Sequence, residues 1–478
     1  MKGVDLSMNA PSAPGLLDRT LANLRSGWRR ISSSGHAGKI PRLRADLPDA
    51  DREALKQQMR ECLESKGGEV SARARAAALG HAYLDLNHQG KRRFLETLAY
   101  DFAVEPEALQ DCANAVLKAG DLNAQLSAMS RLREVLTPPR VKLLTQFNAL
   151  PEGVRFLVDL RADLLEHTGD NLIMQSLDAD LKGLLASWFD IGFLDLKRIT
   201  WKEPAALLEK LIAYEAVHEI RSWEDLKHRL NSDRRCYAYF HPRMPDEPLI
   251  FVQVALVSGM ADDIQNLLDE SRPAQDPETA DAGIFYSISN TQKGLQGVSF
   301  GDFLIKRVVD HLSKDLTNLK TFATLSPVPG FRRFLDELIT QADSKLLTKA
   351  ETDKLNSIAD TDKESCELKD ILSRRDWHQN EELANILKGP LMRLGAQYLL
   401  EEKTNNRARD RVANFHLSNG ARVERINWLA DTSERGMLRS AGLMVNYRYK
   451  LSDIEKNHET YSASGEVVAS SAVKSLLK

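Results

Sequence analysis

Four cysteines stand in 478 residues, at positions 62, 112, 236 and 366. No two are close, no C-x-x-C occurs and no histidines cluster beside them, which argues against a zinc site and against a disulfide framework. No apolar run approaches the ~18 residues that span a bilayer. Strong charge of either sign is also missing: the formal net charge is −3, so no global field draws in nucleic acid or an anionic membrane. The N-terminal stretch MKGVDLSMNAPSAPG has no apolar signal-peptide core, and SLLK is not a peroxisomal S-K-L ending. A reducing, cytoplasmic setting is expected. No P-loop G-x-x-x-x-G-K-[ST] and no G-x-G-x-x-G are present, which removes the two commonest nucleotide cradles.

A 42% hydrophobic and 28% charged composition is that of a globular chain, and its length asks for two or more domains. Residues 1–14 and 31–39 read as mobile, giving a mobile segment over 1–40. From 41 to 190 helical periods dominate: Leu55, Met59 and Leu63; Phe94, Leu95, Leu98 and Phe102; Leu109, Val116 and Leu117 before Gly120; Leu126, Met129, Leu132 and Leu136 before Pro138-Pro139; and Leu157, Leu160 and Leu164. Their stripes are expected to pack on one another as a bundle. After about 190 the texture changes. CYAYFH (236–241), LIFVQVALV (249–257) and GIFYSIS (283–289) read as strands, the second apolar on both faces and therefore central. This half is an α/β or α+β unit with a mixed sheet. Residues 340–405 read as an insertion of mostly polar helices. The tail after about 452 reads as carrying one exposed helix, VASSAVKSLLK.

The stretch FYSISNTQKGLQGVSFGDFLIKRVVD (285–310) reads as strand, glycine loop and helix, with Gly294, Gly297 and Gly301 breaking the regular structure. A tight loop entering a helix aims backbone N–H groups at whatever lies in front of it, a common way to hold phosphate. The other reading of these residues is a ligand-free strand-to-helix turn. The segment resembles the pyrophosphate loop of the GNAT acyl-CoA fold, Q/R-x-x-G-x-G/A, with Ser299 at the position of its first glycine. Lys293, Lys306 and Arg307 are candidate phosphate cations or ordinary surface charge.

TLSPVPGF (324–331), ANFHLSNGARVERINWLAD (413–431), GLMVNYRY (442–449) and HPRMPDEPLIFVQVAL (241–256), taken with the glycine loop, resemble malonyl-CoA decarboxylases from about residue 190 to 450. That resemblance implies an α+β protein: an N-terminal helical bundle that helps assembly, then a GNAT-like mixed-sheet catalytic domain over 191–478 with a helical insertion near 340–405. It implies malonyl-CoA as substrate, acetyl-CoA and CO2 as products, no cofactor and no metal, and homo-oligomers of two or four subunits. Substrate binding falls to Gln296, Gly297, Val298, Ser299, Phe300, Gly301 and Asp302, with Ser326 and His416. His416 takes the proton-donor role and Ser326 is its catalytic partner, expected to engage the malonyl carboxylate. The chemistry suits the residues. Loss of CO2 leaves a thioester enolate that needs preformed donors and then a proton, and an imidazole titrates near neutrality. Two prolines after Ser326 fix its backbone. His416 in NFHLSNG reads as a strand residue before a turn at Asn419-Gly420, sharing a face with Asn414 and Ser418. Tyr449 is a further donor, and Asn414, Asn427 and Asp431 are candidates to orient His416, though each is as readily a structural hydrogen-bonding residue. Two other readings remain at this point: an acyl-CoA-dependent acyltransferase on the same fold, or a catalytically silent acyl-CoA-binding scaffold.

Overall fold

The computed structural model describes residues 16–32, 43–64, 68–189, 191–298, 304–341, 346–358, 368–374 and 376–478. Helices occupy the chain up to Trp188 and the sheet begins at Asp195, so a helical N-terminal region precedes a mixed-sheet domain, as the sequence implied. Within the segment expected to be mobile, Leu16–Ser32 is a helix. It buries Leu24 and Trp28, and the Trp28 indole donates to the Pro151 carbonyl at 2.8 Å. Trp28 sits edge-on to Phe156, and Phe147 lies against the same ring, so the first helix is anchored by aromatic packing.

The helices Pro106–Lys118 and Leu122–Leu136 lie where the periodicity placed them, but their stripe is not packed into the bundle. The first buries no residue and the second buries only Ala128, while Leu117 is 83% exposed, Leu122 68%, Leu126 56% and Leu136 52%. The two pack on each other as a hairpin whose apolar side faces outward.

The main sheet has eight strands: β1 (Asp195–Ile199), β2 (Arg234–His241), β3 (Met244–Val257), β4 (Ala282–Asn290), β5 (Thr321–Thr324), β6 (Ser326–Pro327), β9 (Arg422–Asn427) and β10 (Met444–Tyr449). A small separate hairpin is formed by β7 (Lys403–Thr404) and β8 (Arg407–Ala408). The order is β1-β2-β3-β4-β5-β10, with β6 continuing β5 along β10 and β9 on the other side of β10. β3 is buried along nearly its whole length, as its two-sided apolar run required. Among the described strands, all pairs but one are antiparallel. β4 and β5 run parallel from Ala282↔Thr321 to Phe285↔Thr324, and their last bond is from Leu325 N to the Phe285 carbonyl, at 2.9 Å. There the two strands part. Pro327 and Pro329 have no N–H to carry a ladder further, and β6 follows β10 while β4 stays with β3. At the same level the β3–β4 register shifts and leaves Tyr286 as an extra, bulged residue. The gap between β4 and β6 is the opening in which the site is built.

Two further expectations are corrected. Of the 340–405 insertion, the helix Glu381–Leu400 is not polar, since it buries Leu387, Leu391, Leu394 and Tyr398 against the core. The tail carries two helices, Ile454–Ser464 and Ser471–Ser475, which are packed rather than free. Ile454, Tyr461 and Val473 are buried, and Val423 bridges to Ala469 in parallel.

Candidate functional site

His416 stands on a helix, Arg411–Ser418, not on a strand. Asp410 caps it, accepting from Val412 N at 2.9 Å and Ala413 N at 3.0 Å, which satisfies the free amides of the first turn. The other Asp410 oxygen accepts from Gly330 N at 3.1 Å and so ties the helix to the turn that follows β6. The helix ends at Asn419, and Gly420 continues at φ +79, where a Cβ would strike the Ile454 carbonyl. Ala413, His416 and Leu417 form its buried face, the i, i+3, i+4 spacing of a helix.

That face brings His416 against Ser326 at the parting of β4 and β6. Ser326 Oγ and His416 Nε2 are hydrogen-bonded at 3.0 Å. On the other side of the ring, Nδ1 and the Tyr449 hydroxyl are hydrogen-bonded at 2.8 Å, and Tyr447 stacks on the imidazole with centroids 4.6 Å apart. All four groups are buried. Burial with no charged partner pushes the His416 pKa down from 6.5 to about 3, so the ring is neutral at pH 7 and carries one proton. The same burial pushes the Tyr449 phenol well above its ordinary range, so its proton stays on. When that O–H donates to Nδ1, the imidazole proton sits at Nε2 and faces Ser326. The result is a chain of three neutral groups able to pass a proton toward the cavity.

A cavity of about 800 Å³ begins at this pair and runs through the gap in the sheet. Gly297, Val298 and Leu304 line it at the glycine loop, Ser326 and His416 line it at the parting strands, and Ala216, Val217 and His218 line it beyond. Gly297 and Val298 border it, whereas Ser299, Phe300, Gly301 and Asp302 lie outside the described residues. Gln296 does not border it. The carbonyls of Gln296 and of Gly294 accept from buried Arg161, at 2.9 and 2.7 Å, and Arg161 pairs with Asp178 at 2.7 Å. Gly294 lies so close to the preceding helix that a Cβ would collide with the Val158 carbonyl. The loop is thus seated on the helical region by Arg161, a residue that no motif marks.

Of the two readings of the basic residues, surface charge suits Lys306 and packing suits Arg307. Lys306 pairs with Glu455 at 2.8 Å on the surface, and Arg307 donates to the Leu194 carbonyl and lies over the Tyr239 ring. A further cation stands at the loop: Lys182, whose Nζ would lie 3.3 Å from a Cβ on Gly297. Of the residues considered as supports for His416, only Tyr449 touches it. Asn414 borders the cavity and accepts from the Tyr461 hydroxyl at 2.8 Å, while Asn427 donates to Asn446 at 2.9 Å. Asp431 accepts from Ser433 N at the start of the next helix and also borders the cavity. Once His416 is placed on a helix, a face shared by alternate residues no longer exists. Among the described residues no group of three or more His, Cys, Asp or Glu could hold a metal ion, and no helix is long and apolar enough to cross a membrane.

The comparison with known proteins decides the family. Residues 192–478 match the malonyl-CoA decarboxylase C-terminal domain and residues 102–189 match the N-terminal domain. The chain belongs to the malonyl-CoA decarboxylase family. It is 40% identical over 422 residues to the goose (Anser anser anser) protein named malonyl-CoA decarboxylase, mitochondrial, covering 85% of this chain and 84% of that one. The rat (Rattus norvegicus) protein of the same name is 40% identical over 410 residues, covering 81% and 82%. Among solved structures, the malonyl-CoA decarboxylase of Rhodopseudomonas palustris superposes with a TM-score of 0.81 at 40% identity, over 89% of this chain and 99% of that one. That of Agrobacterium vitis gives 0.80 at 41%, with the same coverage.

Proposed function

We propose that this enzyme converts malonyl-CoA to acetyl-CoA and CO2 through a thioester enolate, with His416 as proton donor and Ser326 engaging the malonyl carboxylate. The observation that carries this reading is the buried Ser326–His416–Tyr449 chain at the mouth of a gap between parallel strands, in a chain of this family. Coenzyme A would lie along β4 with its pyrophosphate at Gln296–Asp302 and Lys182 beside it. A hydrogen bond from Ser326 to the carboxylate turns it out of the thioester plane, so that the breaking C–C bond aligns with the carbonyl π system. CO2 leaves, and the thioester oxygen takes up the charge. The carbanion carbon then takes the Nε2 proton of His416 as a solvent proton arriving through the cavity replaces it on the ring, with the Tyr449 O–H donating to Nδ1 throughout. One proton is consumed per CO2 released.

The assembly is a homo-oligomer of two or four subunits, joined through the outward apolar side of the hairpin 106–136, since leucines as exposed as Leu117 and Leu122 ask for a cover. A cytoplasmic, reducing location accords with the free thiols of Cys62, Cys112 and Cys236. Mass spectrometry of the purified protein with malonyl-CoA, without metal or acceptor, tests the reaction. Acetyl-CoA and CO2 should grow in equal amounts. Free CoA formed only when an amine or hydroxyl acceptor is added would make the protein an acyltransferase instead.

A further inference from the structure

Two helices of the N-terminal region reach the glycine loop, and the loop follows them. Leu295 is buried in the core that it shares with these helices, and Gly294 rests on the Val158 carbonyl of the helix Gly153–Leu165. Arg161, on the same helix, bridges from the Gly294 and Gln296 carbonyls to Asp178 on the next helix, Leu172–Trp188. Its guanidinium is buried, and a charge out of water must keep its partners. That requirement fixes the path of the loop against both helices.

Asp178 and Lys182 are four residues apart on the second helix and so share a face. Asp178 meets Arg161, and one turn further on Lys182 reaches Gly297, where a Cβ would crowd its ammonium at 3.3 Å. The φ of +73 at Gly297 is left-handed backbone that glycine adopts freely. Lys182 is exposed and, among the described residues, pairs with no carboxylate. The acids near it in the chain are already used, Asp178 by Arg161 and Asp180 by Arg140. The backbone has a donor at the same place. Gln296 N and Val298 N donate to the Lys293 and Leu295 carbonyls at 3.0 Å, whereas the exposed Gly297 N–H between them has no acceptor among the described residues. An unpaired ammonium and an unpaired amide thus meet at one residue that lines the cavity, and that combination suits a phosphate group.

We propose that the helical region forms one wall of the coenzyme A site: Lys182 contacts the pyrophosphate at Gly297, and Arg161 is a positioning residue that holds the loop within reach. The inference rests on the loop being where coenzyme A binds. It gives the helical region a part in substrate affinity that is separate from assembly and leaves the Ser326–His416 pair untouched.

The test compares thioesters that differ only at the nucleotide end. Lys182→Gln should raise KM for malonyl-CoA ~3- to 10-fold with little change in kcat, a size between that of an exposed ion pair and that of a hydrogen bond to a charged group. The Kd of acetyl-CoA should rise by the same factor. Malonyl-pantetheine, which has no phosphate, should lose less than about twofold. The malonyl thioester of dephospho-CoA, which keeps the pyrophosphate and lacks the ribose phosphate, should behave as malonyl-CoA does. Lys182→Arg should keep most of the affinity, and the deficit of Lys182→Gln should narrow at high salt. Arg161→Lys should also raise KM for malonyl-CoA and spare malonyl-pantetheine. Should it fail to fold, Asp178→Asn loosens the same pair and takes its place. Equal losses on malonyl-CoA and malonyl-pantetheine, no loss on either, or a loss that disappears with the dephospho-CoA thioester would overturn the proposal. Were the wild-type protein to leave malonyl-CoA intact, the proposed reaction would fall, and the Kd values of acetyl-CoA and acetyl-pantetheine for the same variants would still decide this inference. A wild-type protein that binds neither would overturn both.

Discussion

Two helices of this protein reverse the usual distribution of side chains. Leu122–Leu136 turns leucines to the solvent, and Arg411–Ser418 buries a histidine among tyrosines. Neither is the arrangement that folding alone favours. Exposed leucines gain nothing in an isolated chain, and a buried imidazole loses its charged form. Each exception is understandable through something the single chain lacks: a second apolar surface for the first helix and a substrate for the second. The difference lies in how each is supported. The hairpin has almost no contacts beyond itself, so an unfavourable surface is tolerated there and can be changed with little effect on the fold. The histidine helix is capped by Asp410, stopped at Gly420 and locked between Ser326 and Tyr449, so its unfavourable burial is upheld by several elements at once.

Substitutions sharpen that contrast. The largest effect is expected at the buried end. His416→Ala should lower turnover of malonyl-CoA ~100-fold or more, since one well-placed donor is worth ~2.7–4 kcal/mol of barrier. Tyr449→Phe should cost less, because the ring nitrogen keeps Ser326, and stopped-flow release of CO2 would measure both. At the exposed end, Leu122→Glu with Leu126→Glu should leave only monomers by light scattering, where the proposed assembly predicts oligomers for the unsubstituted protein, while the unfolding free energy moves by only ~0.5 kcal/mol. A protein that was monomeric before the change would break this half of the comparison. Stability also depends on pH through the buried end. His416 has a folded pKa of about 3 against 6.5 in the open chain, so the unfolded state binds the extra proton first as pH falls. Stability from this group is whole above pH ~6.5, declines by up to ~1.4 kcal/mol per unit below it, and levels off near its folded pKa. Denaturant titrations at pH 7 and pH 5 should show that loss, and His416→Gln should flatten it.

Much of this was legible from residues alone where the pattern had one meaning. LIFVQVALV admits only a strand buried on both faces, and the alternation of 283–289 gave β4. The helix carrying His416 was not legible as a helix from NFHLSNG. Asn, Ser and Gly suit a strand end and a helix end equally, and the deciding signals lie in the cap at Asp410 and the spacing of Ala413, His416 and Leu417. The hairpin's position was readable, but its exposure was not, because an apolar period marks a face without naming what covers it. The meeting of Ser326 with His416, 90 residues apart, came through family resemblance and not through spacing.

The most direct test of the central claim is Ser326→Ala, with its rate of acetyl-CoA formation from malonyl-CoA measured beside its Kd for acetyl-CoA. The account predicts a rate ~100-fold or more below the wild type with an unchanged Kd. A near-normal rate from this variant would contradict it, and would leave the buried pair as a structural contact only.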